Sequence, residues 1–243
     1  MSLLTVEGLE ARHGLLHAVR GVDLALDEGE TLALVGANGA GKTTLLRAIA
    51  GAHRAAAGRI RFAGADITTL PAHRRVKLGI ALVPEGRRLF TGMTVEENLL
   101  VAAGRGRAGG GTLATVLEAF PQLRPKLKAR AGDLSGGQQQ AAAIARALMS
   151  NPRLLLLDEV SLGLSPVAVD QLYLSLQTLL AGGATIVLVE QDLGRALRVA
   201  SRVVCLLEGR VTYAGAAGET TRERVMDAYF GLAGRPDATA GGR

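Results

Sequence analysis

The chain has 243 residues, 48% of them hydrophobic, with 32 glycines, one cysteine and a formal net charge of +6. That length suits one α/β domain with a small additional lobe, and it buries a sizeable core. No apolar run reaches the roughly 18 residues of a membrane-spanning helix, and the single Cys205 excludes an intrachain disulfide and a four-cysteine zinc site. The opening "MSLLTVEGLEARHG" meets acidic residues by position 7, with no basic region followed by an apolar core. No signal peptide is expected there, and a lone thiol suits the reducing cytoplasm. Of the 28 basic residues four are lysines and the rest arginines, scattered among alanine and glycine. The densest pairs, Arg74-Arg75 and Arg87-Arg88, lack interleaved aromatics, so nucleic acid is not the expected partner. Attraction to an anionic membrane surface accounts for the charge more simply.

In chain order, residues 3–8 and 18–26 alternate as half-buried strands do, and "ETLALVG" (30–36) reads as a short buried strand. A glycine-rich turn and a helix over roughly 42–51 follow. "GRIRFAGADI" (58–67) reads as a hairpin turning near Ala63-Gly64, and "GIALVPEG" (79–86) as a buried strand ending in a loop. Residues 94–130 are expected to hold helices in "TVEENLLVAA" and "TLATVLEAF", joined by a flexible "GRGRAGGG". Next come a turn and helix in "LSGGQQQAAAIARAL" (134–148), a strand over 153–158 and a helix over 166–181. A strand over 184–190, a helix over 192–200 and the hairpin "RVVCLLEGRVTYAG" complete the core. Alternating strands and helices predict a mostly parallel sheet. Residues 235–243 are expected to be a disordered tail.

"GANGAGKT" (36–43) matches G-x-x-x-x-G-K-[ST] between a predicted strand and a predicted helix. Backbone N–H groups of Gly36, Ala37, Asn38, Gly39, Ala40 and Gly41 converge on phosphate in such a loop. Lys42 reaches the β- and γ-phosphates, the Thr43 hydroxyl ligates Mg²⁺, and Thr44 continues the binding segment into the helix. "LLLLDE" (154–159) supplies the second half: a buried strand delivers Asp158 as a carboxylate for Mg²⁺, and Glu159 is placed to polarise an attacking water. Together these pieces make an NTPase.

The turn Ser135, Gly136, Gly137, Gln138 is a second anion cradle at a helix N-terminus. P-loop enzymes in general lack it. With the two motifs above, "LSGGQ" resembles the ATP-binding cassette (ABC) family across residues 3–232. The resemblance implies a P-loop NTPase core, an N-terminal antiparallel β subdomain and a small helical subdomain over about 90–150, within one ATPase domain spanning 1–234. It also implies a head-to-tail pair of cassettes, in which the Ser-Gly-Gly turn of one caps the γ-phosphate of ATP held by the other.

"VPEGRRLFTGMTVEENL" (83–99), "DEVSLGLSP" (158–166) and "VEQD" (189–192) narrow the resemblance to ATP-binding subunits of branched-chain amino acid importers and the related urea and short-chain amide importers. The implied partners are a second cassette, identical or different, two membrane permease subunits and, indirectly, a solute-binding protein, on the cytoplasmic face of the plasma (inner) membrane. Three positions depart from the wider cassette pattern. Glu85 stands where a glutamine near the magnesium and water is usual and is expected to take that metal role. Gln191 stands where a histidine is usual and is expected to stay catalytic, its amide donating to a γ-phosphate oxygen. His13 stands where a tyrosine stacks on adenine and is expected to stack there. Residues 161–164 fall where the family's D-loop crosses the dimer interface. A cassette ATPase acting on DNA or ribosomes would carry a coiled-coil insertion or a second cassette; this chain shows neither. An exporter subunit of similar size is the other rival.

Overall fold

In the computed structural model, which describes residues 2–109 and 111–232, the chain opens with a hairpin of β1 (Ser2–His13) and β2 (Leu16–Asp27). Both strands run past the alternating cores expected at 3–8 and 18–26, because their outer ends pair across the Gly14-Leu15 turn. β3 (Thr31–Val35) is buried at every position and leads into α1 (Lys42–Ile49). β4 (Ala57–Phe62) and β5 (Ala65–Asp66) form the short hairpin expected at 58–67, with Ala63 and Gly64 both at positive φ in its turn.

α2 (Ala72–Leu78) is a helix that the hydrophobic pattern does not announce, since its one buried side chain is Arg75. β6 (Ile80–Val83), α3 (Val95–Leu100), α4 (Leu113–Ala119) and α5 (Gly136–Leu148) follow. Then come β7 (Leu154–Asp158), α6 (Pro166–Ala181), β8 (Thr185–Val189) and α7 (Leu193–Val199). β9 (Arg202–Leu207), β10 (Arg210–Ala216) and a further unannounced helix, α8 (Arg222–Tyr229), close the described chain. The tail expected at 235–243 lies outside the described residues.

β1, β2, β4 and β5 make a four-stranded antiparallel sheet in the order β2-β1-β4-β5. The second sheet has the order β10-β9-β3-β8-β7-β6 and is parallel except at its β9–β10 edge. Period-two alternation along its buried strands fills two cores at once. Leu32, Leu154, Leu156, Val187 and Leu206 face α1 and the antiparallel sheet. Leu155, Leu157, Ile186 and Leu188 face the opposite way, onto a core shared with α3, α4, α5 and α6. Ala33, Val203 and Cys205 face α7 and α8.

The segment "GRGRAGGG", read as flexible, is tied down where it is described. Arg107 donates from its backbone to the Ser150 carbonyl and from its guanidinium to Asn151, and the Asn151 amide donates to the Ala108 carbonyl. Its glycines accommodate a close pass over the end of α5, which composition alone does not reveal.

Arg75 explains why a helix with a charged buried face exists. Its guanidinium donates to the carbonyls of Leu70, Ala48, Ile49 and Thr68 at 2.8–2.9 Å. Two of those carbonyls belong to the last turn of α1, where a cation suits the helix dipole. Burial pushes the guanidinium down to about 10, still far above neutral pH. Arg75→Ala strands these carbonyls without a donor and is expected to cost about 2–3 kcal/mol. A thermal or urea melt of the purified protein checks this; an unchanged midpoint would refute the clamp.

Candidate nucleotide site and its second cradle

Because β3, β6, β7 and β8 are parallel, their C-terminal ends share one edge of the sheet, where open α/β sheets bind ligands. Four predicted segments arrive there: the 36–43 loop after β3, Glu85 after β6, Asp158-Glu159 at the end of β7, and Gln191 after β8. Left-handed backbone at Gly36 and Gly41 lets the loop close on its neighbours; a Cβ at either would strike the carbonyl of Leu206 or Ala18. Ala37, Asn38 and Gly39 form the outward rim, and Ala40 is buried with its carbonyl bonded to the Gly209 amide.

Lys42 is 4% exposed. Its Nζ donates to the carbonyls of Gly36 (2.7 Å) and Ala37 (2.9 Å) and lies 3.7 Å from Glu159 Oε1. Burial pushes the ammonium below its ordinary value, while Glu159 and Asp158 oppose that shift. The Thr43 hydroxyl donates to Asp158 Oδ1 at 2.8 Å. Asp158 is fully buried, and its Oδ2 has no partner. Burial holds its carboxyl above the usual range despite the Thr43 bond.

An orphaned carboxylate oxygen beside a threonine hydroxyl offers hard oxygen donors of the kind Mg²⁺ takes, so Asp158 and Thr43 would fit that ion. Among the described residues no cluster of three or more His, Cys, Asp or Glu side chains is arranged to hold a metal. Asp158→Asn carries an expected double effect. The raised carboxyl opposes folding at neutral pH, and the cost fades as pH falls through the raised folded value and is gone below about 3.9, where the unfolded Asp also takes up its proton. The amide variant should be more stable by about 1 kcal/mol at pH 7 and lose Mg²⁺-dependent turnover. Equal melting temperatures at neutral pH would contradict the first half.

Glu159 sits at φ +48°, a left-handed conformation uncommon for a non-glycine residue and frequent at functional sites. Its backbone N–H bonds the Val189 carbonyl, and Gln191 Nε2 donates to its Oε2 at 2.7 Å. Thus Lys42, Thr43, Asp158, Glu159 and Gln191 form one connected set. Glu190 was not singled out from sequence. It is 2% exposed, and its Oε2 accepts the Gln191 backbone N–H at 3.2 Å, so it orients the loop that carries Gln191. An acid at the end of the apolar run of 184–190, directly before Gln191, was the available signal.

His13 reaches the same region from β1, with its Nε2 3.1 Å from the hydroxyl of buried Thr44. Its ring lies against that of His53, centroids 4.5 Å apart. Glu85 is exposed; it lines a cleft of about 420 Å³ with Glu159 and Gln139, without a hydrogen bond to the Lys42 set.

Ser135, Gly136, Gly137 and Gln138 are not brought to that set. Ser135 caps α5 and accepts the Gln138 N–H, while Gln138 Oε1 accepts the Ser135 N–H, a reciprocal capping box. Space, not positive φ, demands glycine at 137, while at 136 the neighbour is the mobile end of an arginine side chain. A Cβ on Gly137 would lie 2.7 Å from the Ala168 Cβ, and one on Gly136 3.0 Å from Arg87 Nη2. The turn opens on a separate cavity of about 320 Å³ that it shares with Ser165 and Val167 of α6 and its cap.

The ABC transporter family profile matches residues 19–161. The chain is 41% identical over 240 residues to the high-affinity branched-chain amino acid transport ATP-binding protein BraG of Pseudomonas aeruginosa, covering 94% of this chain and 100% of that protein. It is 39% identical over 222 residues to the probable branched-chain amino acid transport ATP-binding protein LivF of Archaeoglobus fulgidus, covering 89% and 93%. A nucleotide-free ATP-binding cassette from an ABC transporter superposes with a TM-score of 0.83 at 26% identity, over 94% of this chain and 99% of that one. A dimeric cassette in a post-hydrolysis state with ADP and inorganic phosphate does so with a TM-score of 0.76 at 26% identity, over 88% and 98%. With the phosphate loop, the Asp158-Glu159 pair and the Ser-Gly-Gly turn in place, this chain belongs to the ABC transporter family as one of its ATP-hydrolysing cassettes.

Proposed function

We propose that the chain is the ATPase subunit of an importer for branched-chain amino acids, working as one of two cassettes beneath a pair of permeases. The observation that carries the two-cassette part is the separation of the cradles. The phosphate-loop rim at Asn38 and Gly39 is exposed, and the Ser135–Gly137 turn, which could close over it, lines a different cavity of the same chain. A second cassette facing head to tail brings the two together. The substrate class rests on the likeness to BraG and LivF, which spans about nine-tenths of the chain.

In this reading Lys42 leaves its two carbonyls for the β- and γ-phosphates, and the 36–41 amides hold the remaining phosphate oxygens. Thr43 and Asp158 hold Mg²⁺, which neutralises phosphate charge when bound. Glu159 orients the attacking water, and Gln191 steadies Glu159 while its amide is free to donate to a γ-phosphate oxygen. His13 stacks on the adenine, and Glu85 senses the water and metal from the opposite wall. ATP-driven closure of the pair is worth no more than the difference in ATP affinity between its open and closed states, and hydrolysis reopens it.

The helical part over about 90–150 forms one wall of an apolar groove of about 400 Å³, lined among others by Val76, Leu82, Pro84, Phe90 and Val101. A permease loop fits there, beside Glu85. No helix among the described residues is long and apolar enough to cross a membrane; attachment to the inner membrane's cytoplasmic face would come through those permeases. Deleting the gene should abolish uptake of labelled leucine, isoleucine and valine. A wild-type copy should restore it and a Glu159→Gln copy should not. Retained leucine uptake with lost urea or amide uptake would reassign the substrate.

A further inference from the structure

Arg87 has no place in the reading above, yet it stands between its two halves. It lies two residues beyond Glu85, and both it and Arg88 adopt left-handed backbone, at φ +63° and +51°. Consecutive non-glycine residues in that region are strained and persist only when their surroundings hold them. The holding contacts all go to α5. Arg87 Nη1 donates to Gln139 Oε1 at 2.8 Å, and Gln139 Nε2 in turn donates to the Ala131 carbonyl at 3.1 Å. Arg146, three turns along the same helix, donates to the Arg87 carbonyl at 3.2 Å. The guanidinium lies so close to Gly136 that a Cβ there would come within 3.0 Å of Nη2.

Helix stability does not explain this placement. Gly136 is the first residue of α5, and a cation at a helix N-terminus opposes the dipole. Among the described residues no carboxylate pairs with Arg87 to offset that. What the contacts do accomplish is geometric. They fasten the Glu85 loop to both the first and the last turn of α5, and so tie the Ser135–Gly137 turn to the loop that carries Glu85.

We infer that Arg87 is a positioning residue that locks the Ser-Gly-Gly turn to the Glu85 loop through Gln139, so that each cassette presents the turn to its partner's nucleotide in register with its own site. This rests on the proposal that the turn acts in trans. Arg87 touches no nucleotide of its own chain in this scheme, so its loss should spare binding by the monomer and weaken closure.

The test uses the full chain in a Glu159→Gln background, where ATP-bound dimers accumulate. ATP affinity is measured at protein concentrations below dimerisation, and dimer formation by sedimentation across an ATP titration. Arg87→Ala should keep monomer ATP affinity within about twofold and melt close to the parent, while raising the ATP needed for half-dimerisation about tenfold. Arg87→Lys should recover only part of this, because an ammonium lacks the planar fork that spans Gln139 and Gly136. Gln139→Leu should resemble Arg87→Ala, and the double variant should be no worse than either, as expected for residues acting through one contact. Normal dimerisation of Arg87→Ala, additive losses in the double variant, or equal losses of monomer affinity and melting temperature would each overturn the inference. Ser135→Arg in the same background separates the premises. If it dimerises normally, the trans reading itself fails and this inference with it. If it blocks dimerisation and Arg87→Ala does not, the inference alone fails.

Discussion

Glu159→Gln is expected to retain ATP binding, to lower turnover by a factor on the order of 10² or more, and to accumulate ATP-bound dimers. The geometry separates its roles cleanly. In the proposed reading, phosphate contacts would come from Lys42 and the loop before it, and the metal's oxygens from Thr43 and Asp158. The carboxylate of Glu159 is left with Gln191 at 2.7 Å and Lys42 at 3.7 Å. The amide removes the proton acceptor, preserves the shape and keeps a hydrogen-bond partner for Gln191. Steady-state phosphate release, together with sedimentation in ATP, measures both effects; near-normal hydrolysis would remove Glu159 from its role. Gln191→Ala should act in the same direction, slowing hydrolysis more than it weakens ATP binding. Because an amide does not titrate, Gln191→His should add a limb to the pH–rate profile near the histidine range of about 6–7. A parent-like rate in Gln191→Ala would make that residue an ordinary loop glutamine.

Two inactive variants should restore activity when mixed. Lys42→Ala removes the phosphate ligand, and Ser135→Arg fills the second cradle, so each homodimer has two defective sites. In a mixed dimer of head-to-tail cassettes, one site joins an intact Lys42 to an intact Ser135 and the other site carries both lesions. With random pairing and independent sites, half of the dimers are mixed and half of their sites work. The mixture should therefore recover up to about a quarter of the parent's activity, on the premise that the turn completes its partner's phosphate site. A turn that served its own chain would leave every site with one lesion and the mixture dead. If the working partner is a different cassette, the two lesions are divided between the two subunits and the same comparison applies. Among the described residues Ser135 and Lys42 share no hydrogen bond, which is what the expectation requires.

Secondary structure was legible where local chemistry and packing agree. The 166–181 helix was read with its observed ends: Ser165 caps it, Pro166 occupies the first turn and Gly182 ends it. The β7 and β8 strands are unbroken apolar runs, as sheets covered on both faces require. α2 escaped because its buried residue is an arginine, which inverts the expected pattern. α8 escaped because only Val225 and Ala228 are buried in it. The contacts that Arg107 and Ala108 make beyond the end of α5 escaped because glycine permits both a loose loop and a close backbone contact, and composition does not distinguish them.

By itself the sequence determined which chemistry is present: a phosphate loop, a carboxylate pair and a second anion cradle, each specified within fewer than ten consecutive residues. Only the tertiary structure decided which of these meet. Thr43 bonds Asp158 across 115 residues of chain, Gln191 bonds Glu159 across 32, and Arg87 bonds Gln139 across 52. The reason is topological. Parallel strands brought side by side by crossovers deliver their C-terminal ends to one edge, so residues remote in sequence converge there. The start of α5 lies outside that edge, held by Arg87 and Ala168 facing another way. Local propensity encodes the Ser-Gly-Gly turn and its cap, but its direction is set by what packs against it.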